Sequence, residues 1–266
     1  MRNTLILFQK EWMELIRHYK WLWVPLVFLL LGISQPITMK FLPDILASTG
    51  SLPEGTMIQL PTPTSGEILG QVLSQFNTVG ILLLVLATMG TISSEVRSGV
   101  AGAILTKPVS PASYLAAKWA AAMCLTIPAF SIGYAGAWYY TVQLFEPIPA
   151  LAVLTAGIVA LGWFCFIVTL AVVMSLWLAS GAAAAFSTLA IALLFGLINL
   201  LWKDSYLLNP SKLIEGAQYM LMEQPPSFSV GVTVFMTLLL SGLLFAIGLW
   251  SATKRQSWLP ADKGSY

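Results

Sequence analysis

"PIPALAVLTAGIVALGWFCFIVTLAVVMSLWLASGAAAAFSTLAIALLFGLINLLW" occupies residues 147–202 and contains no Asp, Glu, Lys or Arg. The hydrocarbon of a bilayer is about 30 Å thick and an α-helix rises about 1.5 Å per residue, so one span takes about 20 apolar residues. This run is long enough for two. Ser180 and Gly181 are its best turn residues and divide it into spans at 151–179 and 182–202. Outward from it, residues 119–145 and 224–253 are also free of charge. The chain as a whole is 58% hydrophobic and only 9% charged, and so is built to meet lipid rather than water.

Four further spans follow the same criterion, at 21–39, 68–93, 119–142 and 229–253. The expected fold is an all-α polytopic membrane protein with six transmembrane helices. Residues 1–266 form a single transmembrane domain: 1–20 an amphipathic helix, 21–253 the six spans, and 254–266 a tail. A 20-residue polar head ahead of span one, with no small-x-small cleavage site after it, argues against a cleavable signal peptide.

Lys and Arg near span ends set orientation. With both termini on one side, that side collects Arg2, Lys10, Arg17, Lys20, Arg97, Lys107, Lys118, Lys254, Arg255 and Lys263, against Lys40, Lys203 and Lys212 opposite. Both termini are therefore expected in the cytoplasm, and the protein in the cell membrane.

The connections differ in character. Leu5, Phe8, Trp12, Leu15, Ile16 and Tyr19 recur at three- and four-residue spacing, with Asn3, Lys10, Glu14 and Arg17 opposite, which predicts a helix lying on the cytoplasmic leaflet. Lys40 to Glu67 is rich in Pro and Gly and reads as an irregular outer loop. "LNPSKLIEGAQYML" (208–221) reads as a short outer helix lying at or dipping into the interface, with Asn209 as cap and Pro210 at its first position.

Enzymatic chemistry finds no foothold. The single histidine, His18, lies in the basic pre-span segment, so no histidine cluster holds a metal. Cys124 and Cys165 sit deep in apolar runs, where small apolar packing is their expected role. GxSxG, HExxH and a phosphate-binding GxxxxGK[ST] loop are all absent, so no catalytic residue, metal or cofactor is assigned. No acidic residue or histidine falls inside the spans as drawn, which disfavours an ion-coupled carrier.

What remains is the segment "SSEVRSGVAGAILTKPVSPASYLAAKW" (93–119), between spans two and three. Gly99 and Gly102 loosen a helical start, Lys107-Pro108 stops a helix, and Ser110-Pro111 opens another with Ser110 as cap. The pattern predicts helix, tight break, helix across the cytoplasmic surface. On local features alone, a solvated connector is favoured over a docking element.

Glu95, Gly99, the apolar Ala103-Ile104-Leu105, Pro108-Val109-Ser110 and Lys118 together resemble the first cytoplasmic loop of ABC type-2 exporter permeases. "QKEWMELIRHYK" (9–20) is similar to the helix before span one in that family, and 208–221 to its Asn/Ser-Pro segment between spans five and six. The chain departs from the family pattern in Val100-Ala101 after the glycine and Pro111-Ala112 after Pro-Val-Ser. The resemblance implies a permease that pairs with a second copy or paralogue and with separate cytoplasmic ATPase subunits, which would carry the ATP and Mg. Spans two and five would line the path between permeases. Glu95, Arg97, Gly99, Lys107, Pro108, Val109, Ser110 and Lys118 would form the ATPase-coupling loop. Lys10, Glu11, Trp12, Glu14 and Arg17 would contact the ATPase and membrane lipids. The spans offer apolar and aromatic surfaces but no charged pocket, so the expected substrate is hydrophobic or amphipathic, and no nucleic-acid partner is expected. The alternatives are a membrane sensor or assembly protein that docks a different cytoplasmic partner, and an intramembrane enzyme, against which the missing nucleophile–base pair argues.

Overall fold

The computed structural model describes residues 2–48, 63–106, 109–201 and 209–254, and no strand occurs among them. Helix α1 (Arg2–Arg17) precedes α2 (Lys20–Ser48). The second span is segmented into α3 (Ser65–Gln75), a π-helical turn (Phe76–Gly80) and α4 (Ile81–Thr88). Two short helices, α5 (Ser93–Arg97) and α6 (Val100–Leu105), lead into α7 (Pro111–Leu144) and α8 (Ala150–Trp177). Then come α9 (Gly181–Leu201), α10 (Lys212–Leu221) and α11 (Val230–Lys254). Among the described residues six stretches are long and apolar enough to cross a membrane, and each overlaps one of the six expected spans.

Successive spans reverse direction. The start of α7 therefore meets α1 and α5 at one end of the bundle, through Lys118 and Glu95. At the other end the start of α3 meets α10 and the turn after α7, through Gln218 and Glu146.

Helix α8 is the axis of the packing. Trp163, Phe164, Ile167, Val168 and Val172 are all buried, which fits a helix that is apolar all round. Phe28, Phe76, Phe130 and Phe164 join α2, the π turn, α7 and α8 in one ring cluster, with centroids 5.0–6.5 Å apart. Helices α2 and α7 touch backbone to backbone. A Cβ on Gly32 would fall 2.2 Å from the Gly133 carbonyl oxygen, so only glycine permits this approach. Helices α9 and α11 lie outside, with Phe186, Leu193, Phe235 and Leu238 exposed at 61–75%.

The irregular loop expected from Lys40 to Glu67 begins later than predicted, because α2 runs on to Ser48 through Pro36 and Pro43. Each proline removes one helical hydrogen bond, but its φ is already helical, and in a span neighbouring helices compensate the freed carbonyl. Residues 49–62 of that loop lie outside the described residues. Its far end is already the start of α3. Thr64 accepts from the Glu67 N–H at 3.3 Å while the Glu67 carboxylate accepts from the Thr64 N–H at 2.9 Å, a reciprocal capping box.

The break between spans four and five falls where expected. Helix α8 stops at Trp177 and Ser180 accepts from the Ala183 N–H at 3.1 Å. The Asn-Pro segment forms a turn, and its helix starts later, at Lys212. The Asn209 side chain accepts from the Ser211 N–H at 3.0 Å and donates to the Phe195 carbonyl at 2.9 Å, pinning the turn to α9. Leu213, Ile214, Ala217 and Leu221 are buried where α10 packs on α3 and α8.

Candidate functional site

The residues singled out around the connector are drawn together, but only some of them face outward. Helix α1 ends at a turn in which Tyr19 takes a left-handed φ of 53°, and α2 starts in a new direction. This places Lys10, Glu11 and Glu14 against the mouth of the bundle. Leu5, Ile6, Met13 and Ile16 are exposed on the far side. The polar face of α1 is thus turned partly into the molecule. Trp12 packs against Trp21 with ring centroids 4.9 Å apart and ring planes tilted by 58°, and closes the α1–α2 corner.

At the connector, α8 supplies the anchor. The Ser175 hydroxyl accepts from the backbone N–H groups of Ile92 and Ser93, at 3.0 and 3.1 Å. These donors open α5 and have no helical acceptor, so a buried hydroxyl from a different span caps it. Six residues after Ser93, Gly99 adopts φ 76°, and α6 leaves in a new direction. A Cβ there would meet nothing within 4 Å, so the glycine is required by its backbone angle and not by crowding. Ser110 caps α7 by accepting from the Ser113 N–H at 3.2 Å, with Pro111 at the first helical position as expected.

Between these elements sits a buried ion network. The Lys118 ammonium is 2.9 Å from Glu11 and 3.1 Å from Glu95, with only 1% of its side chain exposed. Lys10 pairs with Glu95, and also with Glu11 at 3.0 Å and Glu14 at 3.1 Å. The Tyr114 hydroxyl donates to Glu95 at 2.5 Å. Two lysines and two buried carboxylates balance, which is what makes burial of this many charges tolerable. Burial opposes the charge on Lys10, but the hydrogen bond to Glu95 and the field of Glu11 outweigh it and hold its pKa above the usual lysine value. Carboxylate oxygens of Glu11, Glu14 and Glu95 come within 4.8 Å of one another, close enough to share a cation, and the two ammonium groups supply the countercharge. Beside the network lies a cavity of about 240 Å³ lined by Glu14, His18, Lys20 and Thr91 among others.

Glu95 and Lys118 therefore sit on the inner side of the connector, while Arg97, Ser98 and Val100 are exposed on its outer side. Lys118 was expected just before span three. It lies two turns inside α7, which starts eight residues before the expected edge of that span. Arg17 is exposed, Val109 is partly buried, and Lys107 and Pro108 lie outside the described residues. Sequence reasoning missed Tyr114 and Ser175. Tyr114 carried a signal, since it is one turn from Lys118 on the same helix face. Ser175 carried none, because its partners are 82 and 83 residues away.

Six apolar helices around a buried axis define a multi-pass, all-helical membrane protein. No family model matches the chain. It is 30% identical over 259 residues to the protein of Bacillus subtilis (strain 168) described as "Uncharacterized transmembrane protein YxlG", a match covering 97% of this chain and 100% of that one. The chain belongs to the same family of transmembrane proteins.

Proposed function

We propose that this chain is the transmembrane permease subunit of an ATP-binding cassette exporter, seated in the cell membrane with both termini in the cytoplasm. It docks separate ATPase subunits through the outer side of α5 and α6 and works with a second permease copy or paralogue. The observation that carries the proposal is the ion network. The connector's exposed side offers Arg97, Ser98 and Val100, and its inner side is fastened through Glu95 to α1 and to the third span. A push on the exposed ridge would thus reach two other helices through buried charges, which a plain solvated connector has no need to do. A soluble ATPase closing on nucleotide supplies such a push, and this chain has no phosphate-binding loop of its own. The membrane-facing apolar side of α1 would hold the assembly against lipid headgroups.

The test is co-purification with ATPases from the same gene cluster, followed by Arg97→Glu and Gly99→Pro. A stable complex whose ATPase rate depends on the permease, and which is weakened by both changes, supports the proposal. A permease that captures no such ATPase, or that binds one equally well with both changes in place, overturns it.

A further inference from the structure

One face of span two is exposed or partly exposed along most of its length and changes character halfway. From Glu67 through Gln71, Ser74, Asn77 and Thr78 it is polar, and from Val79 through Leu82 and Leu86 it is apolar. The polar half covers 12 residues, with about 16 Å of helix between Glu67 and Thr78, and so runs from the α10 end to about the middle of a 30 Å hydrocarbon layer. The π-helical turn at Phe76–Gly80 marks the change. Such turns insert one extra residue into a helix and re-aim the side chains around it.

Neighbouring helices extend the polar half. Gln218 of α10 donates to the Ser74 hydroxyl at 2.7 Å and to the Gly70 carbonyl at 2.9 Å. One helical turn away on α10, Glu215 accepts from Asn199 of α9 at 3.0 Å. Not all of these groups are satisfied by the protein. Asn77 accepts from the Trp163 indole at 2.8 Å, but neither its amide nitrogen nor the Gln71 amide has a partner among the described residues, and both residues are partly exposed. An unpaired amide facing hydrocarbon costs several kcal/mol. The exposed faces of α9 and α11, by contrast, carry Leu193, Leu197, Phe235 and Leu238 and need nothing but lipid.

The charge on the stripe has one sign. Glu67 and Glu215 are its ionisable groups among the described residues. Lys40, also at this end, lies over the Phe145 ring at 6.0 Å. We infer that this face lines a water-filled recess that takes an amphipathic cation, with the cationic head among Glu67, Gln71, Ser74 and Glu215 and the apolar tail along Val79, Leu82 and Leu86. The recess stands independently of any ATPase partner. If the chain is a permease, it names the class of cargo.

The test replaces Cys124 and Cys165 by Ala and then adds Gln71→Cys or Thr78→Cys singly, in lipid nanodiscs that expose both faces. Leu193→Cys and Leu238→Cys serve as lipid-facing controls. Thiols react as thiolates, which form in water and not in hydrocarbon. Both stripe thiols are expected to react with a cationic methanethiosulfonate about tenfold faster than the controls, and faster than with an anionic one of equal size. A long-chain alkyltrimethylammonium should slow labelling of Thr78→Cys, and an alkyl sulfate of equal length should not. Stripe thiols no more reactive than the controls would mean that protein or lipid covers the face and would overturn the recess. Equal rates with both reagents, or equal protection by both amphiphiles, would overturn the cation class. Loss of ATPase binding leaves all these rates unchanged, so failure of the coupling proposal and failure of this one are distinguishable.

Discussion

Replacing Lys118 by Met isolates what the buried network contributes. The substitution keeps a long unbranched side chain in a site that is 1% exposed, but removes the ammonium 2.9 Å from Glu11 and 3.1 Å from Glu95. Those carboxylates have side chains only 8% and 10% exposed, and afterwards they share Lys10 alone, which is itself 36% exposed. Removing one partner of a buried ion pair typically costs about 3–5 kcal/mol, because the remaining charge is left uncompensated. For a chain of this size that corresponds to a fall in Tm of about 6–20 °C. Lys10→Met disturbs a wetter group and is expected to cost about 1 kcal/mol. Adding Glu95→Gln to Lys118→Met removes the stranded charge and should recover part of the loss, so the double variant is more stable than the sum of the singles predicts. The assay is thermal unfolding in one detergent, followed by the loss of monodisperse protein on size exclusion. A Lys118→Met variant no less stable than Lys10→Met, or a Glu95→Gln addition that only deepens the loss, would refute the reasoning.

Gly99→Ala should cost about 1–2 kcal/mol through its left-handed φ of 76°, while Gly99→Asn costs less because Asn visits that region more readily. Gly133→Ala places a Cβ 2.6 Å from the Phe28 carbonyl oxygen and should lower stability by about 1–3 kcal/mol as α2 and α7 are forced apart, read as a fall in Tm. Trp163→Phe removes the indole N–H that meets Asn77 and leaves a void at a fully buried site, and should cost about 1–3 kcal/mol, read as a fall in Tm. Lys10 has a pKa raised on folding, so its stabilising effect is fully present below its ordinary value of 10.5 and fades only as pH rises through the higher folded value. The Tm difference between wild type and Lys10→Gln should therefore stay constant up to about that pH.

Periodicity and charge-free length are local quantities, and they located every span and the break at Ser180. They located the cap at Ser110 as well, because a cap is set by neighbours three residues apart. Where the reading fell short, the decisive contact was long-range. The rim of span three was drawn at a lysine, on the rule that charge belongs in water, but Lys118 is neutralised by Glu11 at 107 residues' separation and Glu95 at 23, so the helix absorbs it. The outer loop was drawn from Lys40 on its Pro and Gly content, whereas α2 runs on through Pro43 to Ser48, because in a packed span neighbouring groups compensate for a proline's missing hydrogen bond. Of the connector's described charges, Glu95 and Lys118 proved to lie on its inner side and Arg97 on its outer side. Sequence order shows that Glu95 and Lys118 flank the loop but not which way each one points.

The same network has a consequence for how the protein is made. A chain enters the membrane from its N-terminus, so Glu11 and Glu95 emerge well before Lys118. During that interval α1 and α5 each carry a carboxylate whose principal countercharge has not yet been synthesised. Until α7 is threaded, α1 has only Lys10 to hold it to the connector, and the corner is open to water and to proteases. Docking of α1 onto the connector, as distinct from its packing on α2 through Trp12 and Trp21, is thus expected to complete only with the third span. A chain truncated before Lys118 should be cleared quickly even though two complete spans have been inserted.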